Sequence, residues 1–301
     1  DDAKSVDYAI NVLAKKHGRP FFLACGIFRP HLPWYAPKRF FDLHPLEKIR
    51  LPQLLANDLA DVPAQGRALS AKRRAEFLNI KKHGKWKEAI RAYLASISFA
   101  DAQLGRLLDA LDHSAHRRNT IVVFWSDHGW HLGEKNHWHK STLWEEATRI
   151  PFLIAAPGVT KGGTTCPRPV DTLSIYPTLL ELCGLKPMPG LDGTSIVPLL
   201  KNPAAPWAIP AIIEFQRGQC AVRSEHYRYI RYADGTEELY DHAKDPNEWT
   251  NLAGAVKYKP VIQKLAPWIP KQFAPNAPSK NAYLFDPKAY SWTLKTKNHK
   301  K

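Results

Sequence analysis

The chain has 301 residues, of which 44% are hydrophobic and 11% aromatic. This composition excludes an intrinsically disordered protein and predicts a packed core, and the length suits either one large domain with a smaller appendage or two domains. Lysine and arginine outnumber the acidic residues by 43 to 28, a formal net charge of +15, which favours a polyanionic partner but is explained equally well by solubility alone.

The four cysteines form no Cys-x-x-Cys pair, so neither a zinc knuckle nor a thioredoxin-type site is predicted. Cys25 lies inside an apolar run and is predicted to be a buried thiol. Cys166 and Cys183 could pair in an oxidising compartment, although their spacing does not establish a disulfide. No apolar stretch reaches the roughly 20 residues that a membrane span requires, so no membrane span is expected.

Short apolar runs bounded by turn residues predict three buried strands, at residues 21–27, 120–126 and 151–156. Apolar residues at helical spacing predict helices at residues 6–16, 90–111 and 174–182. This order predicts an α/β fold with a mostly parallel sheet flanked by helices over residues 1–205. Ligands of such sheets bind beyond the carboxyl ends of the strands.

The second half of the chain has a different pattern of apolar and turn residues. Residues 206–270 contain short alternating segments and a hairpin signal, which predict a small antiparallel α+β subdomain. Residues 271–301 are rich in proline and lysine and predict a tail, whose end at 295–301 is expected to be mobile.

A basic run occupies residues 72–87, where seven lysines and arginines stand against the single acid Glu76. A solvated helix face is the commoner explanation of such a run. The functional alternative is a basic wall beside a cleft that binds a polyanion.

The densest cluster of reactive side chains follows the strand predicted at 120–126. Two acids, four histidines and two lysines lie between Asp127 and Lys140. A lone histidine is more often structural, but the Asp127–His128 pair followed by Gly129 at a strand end predicts a metal or oxyanion site.

His31 follows the first predicted strand. Pro30 and Pro33 flank it and are expected to hold the loop stiff and extended, so that the imidazole is presented to one place. If the strands are parallel neighbours, His31 and Asp127 emerge at the same edge of the sheet.

These residues belong to a set of spaced motifs that resembles the carboxy-terminal part of a sulfatase of the alkaline phosphatase superfamily. The likeness spans roughly residues 3–253, and the loop at 29–33 with the Asp-His pair resembles the iduronate-2-sulfatase branch in particular. The matching segments are Ser-Asp-His-Gly at 126–129, Leu-Gly-Glu at 132–134, Trp-His-Lys at 138–140, Glu-Glu-Ala-Thr-Arg-Ile-Pro at 145–151, Asp-Gly-Thr-Ser at 192–195, Leu-Tyr-Asp at 239–241 and Asp-Pro-Asn-Glu at 245–248.

The resemblance implies an alkaline phosphatase-like fold and removal of sulfate from sulfated sugars or polysaccharides. It also implies a formylglycine nucleophile, a divalent cation that is usually calcium, and a secreted or periplasmic location. Asp127 and His128 would be metal ligands. Lys140 would contact the transferring sulfate, and His31 would bind sulfate or protonate the departing sugar oxygen.

The chain departs from the family pattern in two respects. The Cys/Ser-x-Pro-Ser-Arg motif that yields formylglycine is absent, since Cys166 is followed directly by Pro167 and Arg168, and the early acidic metal ligands are absent too. We therefore expect a carboxy-terminal fragment that is inactive by itself. Histidine suits calcium poorly, so manganese or zinc stays open.

Two other functions remain open from the sequence. A phosphodiester or phosphonate monoester hydrolase of the same superfamily would share the Asp-His pair. A non-catalytic domain that binds glycan would explain the charge. No helix-turn-helix, zinc finger or single-strand-binding motif occurs, so no nucleic-acid partner is expected.

Overall fold

A computed structural model describes residues 1–276 and 282–295. Its α-helices are α1 (Asp2–Leu13), α2 (Lys38–Asp42), α3 (Ala64–Lys82), α4 (Trp86–Asp112), α5 (Glu145–Thr148), α6 (Ile175–Leu182), α7 (Val197–Lys201) and α8 (Lys259–Leu265). Its strands are β1 (Val122–Trp125), β2 (His131–Leu132), β3 (Trp138–His139), β4 (Phe152–Ala155), β5 (Ala211–Glu214), β6 (Cys220–Arg223), β7 (Tyr227–Arg231), β8 (Glu237–Asp241), β9 (Tyr283–Asp286) and β10 (Ser291–Leu294).

The three predicted helices are confirmed as α1, α4 and α6. α4 buries Ile90 and Ala95 on its apolar stripe and packs along α1, which buries Val6. The side chain of Asp2, in the first turn of α1, accepts the backbone N–H groups of Phe28 and Arg29 at 2.9 and 3.1 Å. α1 therefore anchors the start of the loop that carries the predicted site histidine.

The prediction of a mostly parallel sheet is not confirmed, because every strand pair among the described residues is antiparallel. The predicted strands at 120–126 and 151–156 appear as β1 and β4, which pair with each other alone. They were predicted to be buried on both faces. With no further strand beside them in the described part, Trp125 and Leu153 stay 48% and 58% exposed.

The strand predicted at residues 21–27 is wrong. The run is apolar, but a strand also requires a ladder of hydrogen bonds with a neighbour, and none is recorded there. Phe22 is 84% exposed. Cys25 is half-buried rather than buried, and that burial, with the nearby Asp2 carboxylate, raises the pKa of its thiol. Cys166 and Cys183 are exposed free thiols and do not pair.

The small antiparallel sheet predicted in the second half is confirmed as β5–β6–β7–β8. Alternate residues point to opposite faces of a strand, so each face has its own core. Tyr229 and its neighbours pack on α8 through Leu265. Ile230 and its neighbours pack on Leu143 and Trp144, just before α5. The sheet thus supports the segment that precedes α5.

Residues 271–301, predicted as a tail, contain the hairpin of β9 and β10. The end that was predicted to be mobile lies, apart from Lys295, outside the described residues. None of the described helices combines the length and the hydropathy that crossing a bilayer requires. The boundaries proposed at residues 205 and 270 remain predictions.

A buried carboxylate joins the small sheet to the rest of the molecule. Glu238 is fully buried and accepts hydrogen bonds from Trp144 Nε1 at 2.8 Å and from the hydroxyls of Tyr232 and Tyr240. Burial raises the pKa of Glu238, and its three donors oppose that rise. Three different side chains therefore depend on one acceptor.

We predict that Glu238→Ala lowers the free energy of unfolding by about 3 kcal/mol or more, since it leaves three buried donors without an acceptor. Urea denaturation followed by tryptophan fluorescence measures the change. Glu181→Ala, which removes an exposed carboxylate, is the control and should change stability by less than about 0.5 kcal/mol. Equal effects of the two substitutions would contradict the account.

Candidate active site

The cluster predicted from the sequence lies on a turn-rich segment, residues 126–141, which we call the site loop. It leaves the end of β1, doubles back through the two-residue pairing of β2 with β3, and ends just before α5. His139 and Ser141, on either side of Lys140, adopt positive φ angles of 74° and 81°. Residues other than glycine rarely adopt positive φ angles. Surrounding contacts must therefore hold the backbone at this end of the loop in place.

Three of the four predicted site residues meet at one point. His128 Nε2 lies 2.7 Å from Lys140 Nζ and 3.5 Å from Asp127 Oδ2. The side chain of Asp127 is 77% exposed, whereas that of His128 is 25% exposed. An imidazole nitrogen, a carboxylate and an ammonium group are therefore gathered at a surface that solvent or a ligand can reach.

The hydrogen bonds of His128 define its tautomer. Nδ1 lies 2.7 Å from the carbonyl oxygen of Gly129, a contact that requires an N–H donor. Nε2 then carries the lone pair, as its contact with the donor-only Lys140 ammonium also requires. A neutral imidazole with a backbone carbonyl on its other nitrogen is the form in which histidine binds metals.

Asp127 and His128 fit a divalent cation. Two ligand atoms at right angles around a cation with bonds of about 2.4 Å lie about 3.4 Å apart, and Asp127 Oδ2 and His128 Nε2 are separated by 3.5 Å. The carboxylate has no other hydrogen-bonding partner among the described residues. Lys140 Nζ now occupies the lone pair of His128 Nε2 at 2.7 Å, so this ammonium has to move away before a cation binds there. Two ligands do not complete a coordination sphere, so further donors are required.

His31 does not join this cluster directly. Its Nδ1 contacts the carbonyl of Leu32 at 2.6 Å, and its ring packs on Phe28 with 4.5 Å between centroids. The loop was predicted to be extended, but it turns, because the N–H of His31 donates to the carbonyl of Phe28. Within the described chain, no hydrogen bond or ion pair joins His31 to Asp127, His128 or Lys140.

Aromatic rings connect the His31 loop to the site loop. Trp34 Nε1 donates to the carbonyl of Pro30 at 2.8 Å, and the Trp34 ring meets the edge of Trp130 at 6.1 Å. The Trp130 ring lies 6.3 Å from the ring of His128. Trp130 therefore contacts both the loop of His31, through Trp34, and the site residue His128. The side chain of His31 itself is exposed.

Two further histidines hold Lys140 in place. His137 is buried, its Nε2 lies 3.0 Å from the Lys140 carbonyl, and burial lowers its pKa to about 4. A neutral ring therefore donates to the backbone of Lys140. His139 Nε2 contacts Glu76 Oε2 at 2.8 Å, which ties the other side of the loop to α3.

Lys135 has a structural role. Its ammonium is buried, lies 2.8 Å from Asp58 Oδ1, donates to the carbonyl of Glu248 and sits over the ring of Tyr240 at 4.9 Å. A buried lysine with a carboxylate partner and an aromatic face satisfies its charge locally. This contact fastens the middle of the site loop to the second half of the chain.

Helix α5 packs closely against the turn that carries the Asp-His pair. The N–H of Gly129 donates to the carbonyl of Ala147 at 2.9 Å. A Cβ atom on Gly129 would lie 2.2 Å from the carbonyl oxygen of Glu146 and 2.6 Å from that of Arg149. Only glycine permits this close approach, so the backbone of α5 fixes the position of His128.

The position of α5 is set by a buried ion-pair network. Arg228 is 1% exposed, donates to the carbonyl of Leu143 at 2.9 Å, contacts Glu145, and lies 2.6 Å from Glu248 Oε1. Glu248 Oε2 accepts the N–H of Glu145 at 2.9 Å, at the start of α5. His242 contacts the same Glu248 carboxylate at 2.8 Å.

Glu145, His242 and Glu248 lie close enough together to suggest a second metal site. The donor set argues against it, because Arg228 and Arg223 already neutralise the carboxylates. Burial raises the pKa of Glu145, but the two guanidinium groups outweigh it and hold the pKa at about 2. A cation here would face Arg228, so the cluster is an ion-pair network rather than a metal centre.

A cleft of about 280 Å³ opens beside this network. Its lining includes Arg149, Arg223, His226 and His242, and none of the four predicted site residues. The cleft and the predicted site residues therefore do not coincide.

Comparison with known proteins gives the family. The family model described as sulfatase matches residues 1–185, and the model described as N-sulphoglucosamine sulphohydrolase, C-terminal, matches residues 133–273. The chain belongs to the sulfatase family. A sulfatase of Formosa agariphila is 42% identical over 95% of this chain and 56% of its own length. The iduronate 2-sulfatase of Mus musculus is 30% identical over 85% of this chain and 48% of its own length.

The chain thus spans about half the length of the curated relatives that it matches. Among solved structures, a protein in complex with its substrate D-glucosamine-2-N,6-O-disulfate matches with a TM-score of 0.72 and 22% identity, over 88% of this chain and 68% of its own. The phosphonate monoester hydrolase of Silicibacter pomeroyi matches with a TM-score of 0.75 and 24% identity, over 89% and 58%. At these identities the likeness establishes a shared fold.

We predict that Gly129→Ala separates α5 from the Asp-His turn, since the new methyl group cannot fit against two backbone carbonyls. The free energy of unfolding should fall by about 2 kcal/mol or more. Gly162→Ala is the matched control, because a Cβ there meets no atom within 4 Å. Thermal and urea denaturation measure both variants, and unchanged stability of Gly129→Ala would refute the close packing.

Proposed function

We propose that this chain supplies the metal-binding and sulfate-binding half of a sulfatase that removes sulfate from sulfated sugars or polysaccharides. One observation carries the proposal: His128 Nε2 lies within 3.5 Å of both a carboxylate oxygen of Asp127 and the ammonium of Lys140. A cation site and a fixed positive charge at one exposed point suit a sulfate ester, whose oxygens carry the negative charge.

In this proposal Asp127 and His128 hold a divalent cation, which when bound neutralises the sulfate oxygens. The histidine ligand suits manganese or zinc, whereas calcium prefers oxygen donors. Calcium is the family's usual ion, so its use here would require mainly oxygen ligands from the rest of the sphere. The Gly129 carbonyl keeps His128 in the tautomer that offers Nε2.

Lys140 provides the second positive charge. His137 holds the backbone of Lys140 and Glu76 holds the neighbouring His139, so the lysine starts from a fixed position. Its ammonium turns from His128 Nε2 to the sulfate position when the cation takes that nitrogen, before substrate arrives. A preorganised charge needs no reorganisation as negative charge develops on the sulfate, which is the main source of electrostatic stabilisation in enzymes.

His31 is proposed to bind the sulfate or to protonate the departing sugar oxygen. Its exposed ring, on a loop anchored by Asp2 at one end and by Trp34 at the other, supports this role. An alkoxide leaving group requires a proton, and an imidazole is a common general acid in enzymes. Because His31 does not touch the cluster, substrate would have to lie between them.

The proposal requires a nucleophile from residues outside the 301 described by this sequence. Formylglycine, the nucleophile of the family, would attack sulfur and carry the sulfate group before release. The motif that yields it is absent from these residues, so we expect the 301-residue chain alone to be inactive. A secreted or periplasmic location, as is usual for the family, is part of the same proposal.

A second candidate is hydrolysis of phosphonate monoesters, favoured by the fold shared with the Silicibacter pomeroyi enzyme. Both reactions would use the same cation and ammonium. The ratio of kcat/KM for an aryl sulfate to that for the corresponding aryl phosphonate monoester separates them. A ratio above one supports the sulfatase, and a ratio well below one supports the alternative.

We predict that Lys140→Ala, in the enzyme that carries formylglycine, lowers kcat for an aryl sulfate by about 100- to 1000-fold, the scale for loss of one preorganised charge. KM should change less, because the contact strengthens in the transition state. Lys161→Ala removes an exposed lysine elsewhere and is the control. An unaltered kcat in Lys140→Ala would show that Lys140 has no catalytic role.

A further inference from the structure

The hairpin of β9 and β10 presents aromatic rings to solvent. Phe285 pairs with Trp292 across the two strands, with 4.7 Å between ring centroids, and the Phe285 ring lies 6.5 Å from that of Tyr290. Phe285 is 46% exposed, Trp292 64% and Tyr290 83%. Alternate residues point to opposite faces of a strand, so Leu294 shares the face of Trp292, while Leu284 lies on the other. We call the surface of Phe285, Tyr290, Trp292 and Leu294 the aromatic face.

The hairpin is held together by its own contacts. β9 and β10 pair only with each other among the described strands. The N–H of Lys295 donates to the carbonyl of Ala282 at 2.7 Å, and Asp286 Oδ1 accepts the N–H groups of Lys288 and Ala289 at 2.8 and 3.2 Å. The hairpin also lies beyond residue 273, where the matching family models end. The fold that the family shares therefore does not account for the aromatic face.

Exposed aromatic side chains grouped in this way are typical of an interaction surface. The area argues against a folded protein as the occupant. One aromatic side chain buries about 150–250 Å² when it is fully covered, so three rings with these exposures, together with Leu294, offer at most about 600 Å². A stable protein interface takes about 800 Å² from each partner. A second copy of this chain would find too little surface here.

The charge beside the aromatic face favours an anionic polymer. Among residues 282–295, Lys288 and Lys295 stand against the single acid Asp286, whose carboxylate already accepts two N–H groups of the turn. The sequence continues with lysines at 297, 300 and 301. A linear polymer needs little area for each contact, because its repeating units can engage the same surface again after one contact breaks.

We propose that the aromatic face is a non-catalytic binding surface for an anionic polysaccharide. The C–H groups on one side of a sugar ring stack on the electron-rich faces of Trp292 and Tyr290, and Lys288 meets the charged substituents of the polymer. The choice of a polysaccharide rests on the proposed function. None of the four predicted site residues lies in the hairpin, so this surface raises the local concentration of polymer and leaves the chemistry unchanged.

The variants remove one ring at a time. Trp292→Ala and Tyr290→Ala each take a ring from the aromatic face, and Trp292→Phe keeps one there. Tyr8→Ala is the matched control for Tyr290→Ala, because Tyr8 is 69% exposed on α1. Leu284→Ala changes the opposite face of the same hairpin and reports any effect of weakened hairpin packing.

The first measurement is binding of dextran sulfate by the 301-residue chain in about 0.15 M salt, where long-range attraction by the net charge is screened. Trp292→Ala should weaken binding about tenfold and Tyr290→Ala about threefold, as expected for loss of one stacked ring. Trp292→Phe should stay within about threefold of wild type, and Tyr8→Ala and Leu284→Ala within about twofold. The loss in Trp292→Ala should persist as salt rises, whereas that in Lys288→Ala should vanish.

Four results would overturn the binding surface. Equal losses in Trp292→Ala and Leu284→Ala would assign the effect to hairpin folding, and equal binding by wild type and Trp292→Ala would remove the surface altogether. Single-stranded DNA or anionic vesicles bound as tightly as dextran sulfate, with the same dependence on Trp292, would assign it to another partner. A dimer that Trp292→Ala dissociates would assign it to a second copy of this chain.

The second measurement is turnover of an aryl sulfate by the enzyme that carries formylglycine. Trp292→Ala should leave kcat/KM unchanged, because an aryl sulfate is too small to reach a separate surface. A fall of more than about threefold would contradict the non-catalytic role. If no sulfate ester is hydrolysed but dextran sulfate binding still depends on Trp292, the proposed activity fails and the binding surface stands.

Discussion

The ion pair between Arg228 and Glu248 is the contact on which the arrangement of the site depends. Both side chains are almost completely buried, at 1% and 3% exposed, so each charge requires the other. Removing one partner of such a pair costs about 3–5 kcal/mol, because the remaining charge is left unpaired in the interior. Arg228 and Glu248 position the start of α5, because Arg228 donates to the carbonyl of Leu143 and Glu248 accepts the N–H of Glu145.

From this pair, backbone contacts lead to the predicted site residues. α5 meets Gly129 without space for a side chain, and Gly129 in turn accepts the Nδ1 proton of His128. Lys135 ties the middle of the site loop to Glu248 from another direction. The small sheet, which carries Arg228, therefore contributes no predicted catalytic group, yet it determines where the Asp-His pair lies.

Sequence reasoning predicted most of the local elements, because these depend on neighbouring residues, and it singled out the loop on which Asp127, His128 and Lys140 come together. Periodicity predicted α4, and turn signals predicted the strands of the small sheet. The predicted parallel sheet is not seen among the described residues. The direction of pairing depends on which strands are neighbours, and residues 21–27 pair with no strand in the described part. The apolar run there resembles a strand only in composition.

The supporting residues of the site were harder to predict. Asp58 and Lys135 are 77 positions apart, and Glu145 and Glu248 are 103 apart, so no local pattern reveals their contacts. Glu145 and Glu248 did stand in segments that resemble the family, which was a usable signal. Glu76 looked like an isolated acid in a basic run, and only the fold shows that it holds His139 beside Lys140.

In the proposed sulfatase, a cation binds at Asp127 and His128 and not at the neighbouring cluster of Glu145, His242 and Glu248. The most direct test is anomalous diffraction at the manganese edge, from crystals of the formylglycine-bearing enzyme grown with manganese. The account predicts a single strong peak within about 2.5 Å of a carboxylate oxygen of Asp127 and of His128 Nε2. A peak between Glu145, His242 and Glu248, with none at Asp127, would contradict it.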